Sequence, residues 1–130
     1  MGAWYTIGIL AGLGTAIGVA CTGALRRALV GLVIAVAISI ALGFAFTGWA
    51  QALAGAVGAA CGSLGVAPIV SGTLRRGGTA TLLALSSLVG AGLAFVPVVG
   101  YLEAIAVPLL GARLRRRSPD RHAGLRTLAK

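Results

Sequence analysis

The run TATLLALSSLVGAGLAFVPVVGYLEAIAVPLLGA, residues 79–112, decides the fold, because it crosses a membrane either once or twice. It holds 34 residues and one charged side chain, Glu103. As a single helix it would be about 51 Å long, well beyond a hydrocarbon core of about 30 Å. As two helices it supplies about 16 residues each, short spans but sufficient ones. The stretch Phe95-Val96-Pro97-Val98-Val99-Gly100-Tyr101 provides the break, with a proline, a glycine and then an aromatic residue.

The charges outside this run choose between the two options. The chain has 11 basic and 2 acidic residues, and the basic ones form three clusters: Arg26-Arg27, Arg75-Arg76 and the stretch from Arg113 to Lys130. Residues 1–25 and 28–74 contain no charge. Arginine and lysine are costly at the centre of a bilayer and collect in cytoplasmic loops. Four spans would put the last cluster opposite the other two, whereas five put all three on one side. The expectation is therefore an all-α, polytopic transmembrane bundle of five spans, with the N-terminus outside and the C-terminus cytoplasmic. The spans fall at about 4–22, 28–46, 49–70, 79–96 and 98–112, making 1–112 the membrane domain and 113–130 a basic cytoplasmic tail.

Composition agrees with a membrane location. The chain is 58% hydrophobic and 10% charged, where soluble domains carry about a quarter charged residues. The net charge of +9 does not point to nucleic acid, because no aromatic residues interleave with the basic ones. The basic residues instead read as topology signals and contacts for anionic headgroups: Arg26, Arg27, Arg75, Arg76, Arg113, Arg115, Arg116 and Arg117. Within the tail, Ser118-Pro119-Asp120 is placed to cap a short amphipathic helix over 121–130. The start of the chain lacks a basic segment ahead of its apolar run, so no cleaved signal peptide is expected.

An internal repeat fits the five-span reading. Gly23-Ala24-Leu25-Arg26-Arg27 recurs as Gly72-Thr73-Leu74-Arg75-Arg76, and Gly111-Ala112-Arg113-Leu114-Arg115-Arg116 is a weaker third copy. Each odd-numbered span thus starts near an aromatic (Trp4, Trp49, Tyr101) and ends at a Leu-Arg pair. Two spans per copy keep successive copies in the same orientation, as parallel repeats do.

Residues able to carry chemistry are few. Glu103 is the one acidic residue in the apolar region, and an ionisable group in a span is a functional candidate by default. Counted from Pro97 it lies about 9 Å along the fifth span, near the interface. Its repeat counterpart is Gln51, and the pair is the candidate intramembrane polar site. Gly8, Gly12, Gly14, Gly18, Gly58 and Gly62 stand in Gly-x-x-x-Gly spacing, which lets helices approach closely within the bundle or between copies. Pro68 and Pro108 each predict a kink. Cys21 and Cys61 match no metal spacing and read as small hydrophobes.

With one histidine and two acids in the chain, no triad or paired-carboxylate set can form. Gly77-Gly78-Thr79 lacks the lysine of a phosphate-binding loop. The expectation is a protein that is not an enzyme, with no cofactor and no metal.

The stretch Phe95–Arg117, with Pro-Val-Val-Gly-Tyr-Leu-Glu followed by Leu-Arg-Arg-Arg, resembles small membrane proteins of high-GC actinobacteria and is distantly similar to the DUF4126 group of bacterial membrane proteins. That resemblance implies a Gly/Ala-rich spanning bundle and no particular activity. The functional expectation is a self-associating, channel-like or transporter-like unit in the bacterial cytoplasmic (inner) membrane. The alternatives are an accessory subunit of a larger membrane complex and a holin-like permeabiliser, although five spans exceed the one to three usual for the latter. Partners would be anionic lipids, further copies of the chain or that larger complex.

Overall fold

The structure is a computed structural model that describes residues 2–25, 27–46, 48–73 and 79–117. Every regular element among them is helical: α1 (Ala3–Leu25), α2 (Ala28–Phe46), α3 (Trp49–Thr73), α4 (Thr79–Leu93) and α5 (Pro97–Arg117). The all-α expectation holds. Three helices are long and apolar enough to cross a membrane, over Ala3–Leu25, Ala28–Ala45 and Trp49–Val70. Of the others, α4 has 15 residues, while α5 carries Glu103 in its second turn and arginines at its end.

Local chemistry fixes the junctions. Between α2 and α3 the backbone turns at Gly48 with φ of 133°, a conformation open to glycine because it has no Cβ. Gly48 donates to the Gly43 carbonyl at 3.2 Å, and Ala52 donates back to Gly48 at 3.1 Å, so the turn closes one helix and opens the next. Between α4 and α5, Val96 donates to the Leu93 carbonyl and Gly100 to that of Val96, at 3.0 and 3.1 Å. Pro97 opens α5, where its missing N–H costs nothing. Pro68 and Pro108 lie inside α3 and α5, which are each assigned as one helix through the proline.

Contacts between backbones set the directions. Ideal Cβ atoms built on Gly58 and Gly62 would collide with the Ala11 and Thr15 carbonyls of α1; those on Gly14 and Gly18 would lie 3.0 and 2.9 Å from the Ala59 and Ser63 nitrogens of α3. Position numbers rise together, so α1 and α3 run parallel. Gly100 sits between Gly8 and Gly12 of α1, and Gly65 of α3 sits between Val107 and Gly111, which makes α5 parallel to both. The three odd helices thus form a parallel core held at glycines. The even helices run the other way on its flanks: Gly31 meets Thr22 and Gly43 meets Ala52, seating α2 on α1 and α3. On the other side Gly23 meets Leu83 and Gly12 meets Ala94, seating α4 on α1.

This arrangement gives the bundle two unlike ends. All seven aromatic residues lie at one: Trp4 and Tyr5 opening α1, Phe44 and Phe46 closing α2, Trp49 opening α3, Phe95 in the α4–α5 turn, and Tyr101 early in α5. At the other, the basic end, Arg27 is exposed at the α1–α2 junction, and Arg113, Arg115 and Arg116 are exposed in the last turns of α5. Arg26, Arg75, Arg76 and the tail beyond Arg117 lie outside the described residues, as does the Arg117 side chain. The sides are apolar and open, with Leu29 77%, Val33 67%, Leu82 67% and Leu88 72% exposed. Water would penalise such faces, whereas hydrocarbon does not.

Candidate functional site

The interior is built from small residues. Thr15 and Thr22 are fully buried, Ser39 and Ser63 nearly so. Thr15 donates its hydroxyl to the Ala11 carbonyl at 2.8 Å, and Ser63 donates across the seam to Gly18 at 3.3 Å. Helices approach this closely in lipid because dispersion and weak polar contacts must replace a hydrophobic drive. A path for ions cannot run between α1 and α3, since their backbones touch.

The six glycines singled out by spacing fall in two seams. Gly14, Gly18, Gly58 and Gly62 form the α1–α3 contact, while Gly8 and Gly12 face Gly100, with Ala94 also against Gly12. The spacing did not reveal Gly31, Gly43, Gly55, Gly65, Gly90, Gly100 or Gly111, each of which also lies against a neighbouring helix.

Gln51 and Glu103 occupy different places. Gln51, near the start of α3, donates through Nε2 to the Thr6 hydroxyl of α1 at 3.3 Å, and Thr6 donates in turn to the Ala3 carbonyl at 2.9 Å. Gln51 therefore ties the aromatic ends of α1 and α3 together. Close by, the Tyr101 hydroxyl donates to the Trp4 carbonyl at 2.9 Å, tying α5 to the same end of α1. Trp4 packs edge-on against Tyr5, with centroids 6.5 Å apart.

Glu103 lies deeper than its position along α5 suggests. Gly100 is level with the Gly8–Gly12 turn of α1, so Glu103 is level with about residue 14, about 15 Å in from Ala3. Gly65 lies between Val107 and Gly111, which puts Glu103 level with about residue 59 of α3, again about 15 Å in from Trp49. Ala94 opposite Gly12 and Leu83 opposite Gly23 place Gly90, the neighbour of the carboxylate, level with about residue 16 of α1. Three registers agree on mid-height. The distance along α5 and the height in the bundle differ because α5 starts below the ends of α1 and α3 by about 6 Å.

At that height the Glu103 carboxylate crosses to α4 and lies against the bare Cα of Gly90; its Oε2 is 3.7 Å from where a Cβ would stand. That oxygen is buried and accepts no hydrogen bond from any described residue. Towards the basic end, the side chains of Val19 (α1), Val66 and Val70 (α3), and Leu83 (α4) cluster, with Val107 packed against them. Val107 is one turn of α5 beyond Glu103, and the rest of this cluster lies further towards the basic end, about 8–16 Å from the height of Glu103. Below their shared turn α4 and α5 touch little, since α4 follows α1 while α5 crosses to α3.

Long apolar helices, a glycine-packed interior, one aromatic end and arginines at the other define a transmembrane helical protein. No family model, curated protein or solved structure matches the chain.

Proposed function

We propose that this is a five-span integral protein of the bacterial cytoplasmic membrane, with its aromatic end outside and its basic end cytoplasmic. In this reading it is not an enzyme; it moves a small cation, with Glu103 as the charged station. The topology draws on the parallel odd helices, which bring Arg27 at the α1–α2 junction and the arginines at the α5 end to one face. Arginine on one side and Trp/Tyr at the interface match the distribution a bilayer selects.

The single observation behind transport is the mid-height carboxylate against Gly90. A charge at the centre of a spanning helix costs about 2.5–3.5 kcal/mol on insertion scales, which makes a glutamate at that height a functional candidate. Because the odd helices are sealed at their glycines, the route follows the α4–α5 side of the bundle, facing lipid or a second copy. Self-association would close that side.

The test is flux in proteoliposomes. The wild-type chain should dissipate an imposed cation gradient, and Glu103→Gln should abolish this while eluting as the same folded species. Equal flux from both, or none from either, removes Glu103 from the function. A second reading, an accessory subunit, is favoured by the lipid-facing breadth of α2; it predicts that gentle solubilisation recovers the chain in one defined larger complex.

A further inference from the structure

The junctions between the helices are not alike. The first three carry polar side chains in the sequence: Arg26 and Arg27 between α1 and α2, Thr47 between α2 and α3, Arg75 and Arg76 between α3 and α4. The α4–α5 junction has none, and residues 88–100 are apolar throughout. At its turn Phe95, Val96 and Val98 are exposed, so the surface it offers is hydrocarbon alone.

That turn also stops short of the aromatic end. Helix α4 has 15 residues, a rise of about 22 Å against a hydrocarbon core of about 30 Å. Leu83 beside Gly23 places the start of α4 at the basic end, so the shortfall lies at the other. Ala94 meets Gly12, and Gly100 lies between Gly8 and Gly12. Phe95 is thus level with about residue 11 of α1 and Val98 with about residue 8. Both are further in than Trp4 and Trp49, by about 6–11 Å; those two exposed aromatics mark the interface. The turn is built for that depth. Ala94 is fully buried, the N–H groups of Ala94, Val96, Val99 and Gly100 donate to carbonyls within the turn, and Pro97 has no N–H to satisfy. Irregular backbone persists at membrane depth where it is packed on protein.

Glu103 lies below this turn. Both α4 and α5 are seated at Gly12 of α1 there, which closes their seam on the aromatic side of the carboxylate. Towards the basic end they separate, α4 onto Gly23 of α1 and α5 onto Gly65 of α3. We propose that residues 94–99 form a membrane-embedded cap, which turns round within the hydrocarbon of the outer leaflet and closes Glu103 off from the outer medium. This rests on the five-span reading for its sidedness and keeps both termini where that reading puts them. It shortens the last two spans to a hairpin that crosses the inner leaflet and turns in the outer one. A cation held at Glu103 then has no direct exchange with the outside.

Two experiments on the full chain test this. The first measures depth with single-tryptophan proteins in bilayers of phosphatidylcholine brominated at successive acyl positions. One protein keeps Trp49 and carries Trp4→Phe; the others carry Trp4→Phe and Trp49→Phe with Phe95→Trp or Val98→Trp. Phe95→Trp should be quenched best by bromines about 10 Å deeper than those that quench Trp49, and Val98→Trp by bromines about 6 Å deeper. Depths equal to that of Trp49 overturn the inference, whichever way the protein faces.

The second tests closure in right-side-out vesicles. Dicyclohexylcarbodiimide, which enters from the hydrocarbon, should modify Glu103, read as a mass increase on its peptide. A membrane-impermeant quaternary-ammonium carbodiimide added outside should leave it unmodified, and modification by that reagent overturns the closure. Sidedness is read separately, with Ala3→Cys in a chain carrying Cys21→Ala and Cys61→Ala and a membrane-impermeant maleimide. Reaction of Ala3→Cys only from the cytoplasmic side defeats the five-span sidedness, and with it closure from the outside, while the quenching depths still decide whether the turn is embedded.

Discussion

The α1–α3 and α4–α5 seams are built on opposite plans. In the first, Gly14, Gly18, Gly58 and Gly62 let two parallel backbones touch, and Thr15 and Ser63 place their hydroxyls on nearby carbonyls. In the second, two antiparallel helices share a turn and then part, with one carboxylate reaching from α5 to Gly90 of α4. Glycine does different work in each. In the α1–α3 seam an added methyl would strike backbone, which cannot yield. At Gly90 it would strike the end of a flexible glutamate, which can. The first seam is therefore suited to holding the bundle together and the second to holding something that changes.

Three substitutions probe that contrast, in falling order of effect. Gly58→Val should be the most damaging, because its Cβ would run into the Ala11 carbonyl; overpacking of this kind costs about 3 kcal/mol or more. Unfolding in detergent should show that loss or a failure to recover monodisperse protein, and a fully stable variant would deny the contact. Gly90→Ala should change stability by less than about 1 kcal/mol, yet displace the carboxylate and so alter carbodiimide labelling of Glu103. Unchanged labelling would mean the carboxylate does not rest on α4. Gly92→Ala should be the mildest, neutral or stabilising by up to about 1 kcal/mol, since alanine is the better helix former and nothing stands in its way. A clear destabilisation there would reveal a neighbour, most simply a second copy of the chain.

Much of the helical plan was legible because charge and apolar length are local properties. The charge-free runs, the Arg-marked ends and Gly48 as a turn residue need no knowledge of neighbours. Helix faces were not legible. Core and lipid are equally apolar, so α2 shows no polar stripe to mark which side turns inward, and Val33 and Ala35 look alike although one is 67% exposed and the other fully buried. The depth of Glu103 was hidden for a related reason. Counting along α5 gives distance from Pro97, but depth depends on where α5 docks, and that is set by Gly100 meeting Gly8 and Gly12. Isolated glycines such as Gly65, Gly90 and Gly100 carry no spacing signal, and only their partners reveal what they do. The Gln51–Glu103 correspondence was readable as a repeat, yet one residue became a tie between helices and the other an unpaired acid.

The parallel α1–α3 contact has a consequence for biosynthesis. Ser63 and the Gly18 carbonyl it binds are 45 residues apart, with all of α2 between them. At about 5–20 residues per second, α1 enters the bilayer several seconds before its partner helix exists. Throughout that interval its glycine face has only lipid, α2 or the insertion machinery against it. A nascent α1 is thus a helix whose best surface has no counterpart, and slowing translation through codons 28–58 should lengthen its exposure to membrane quality control.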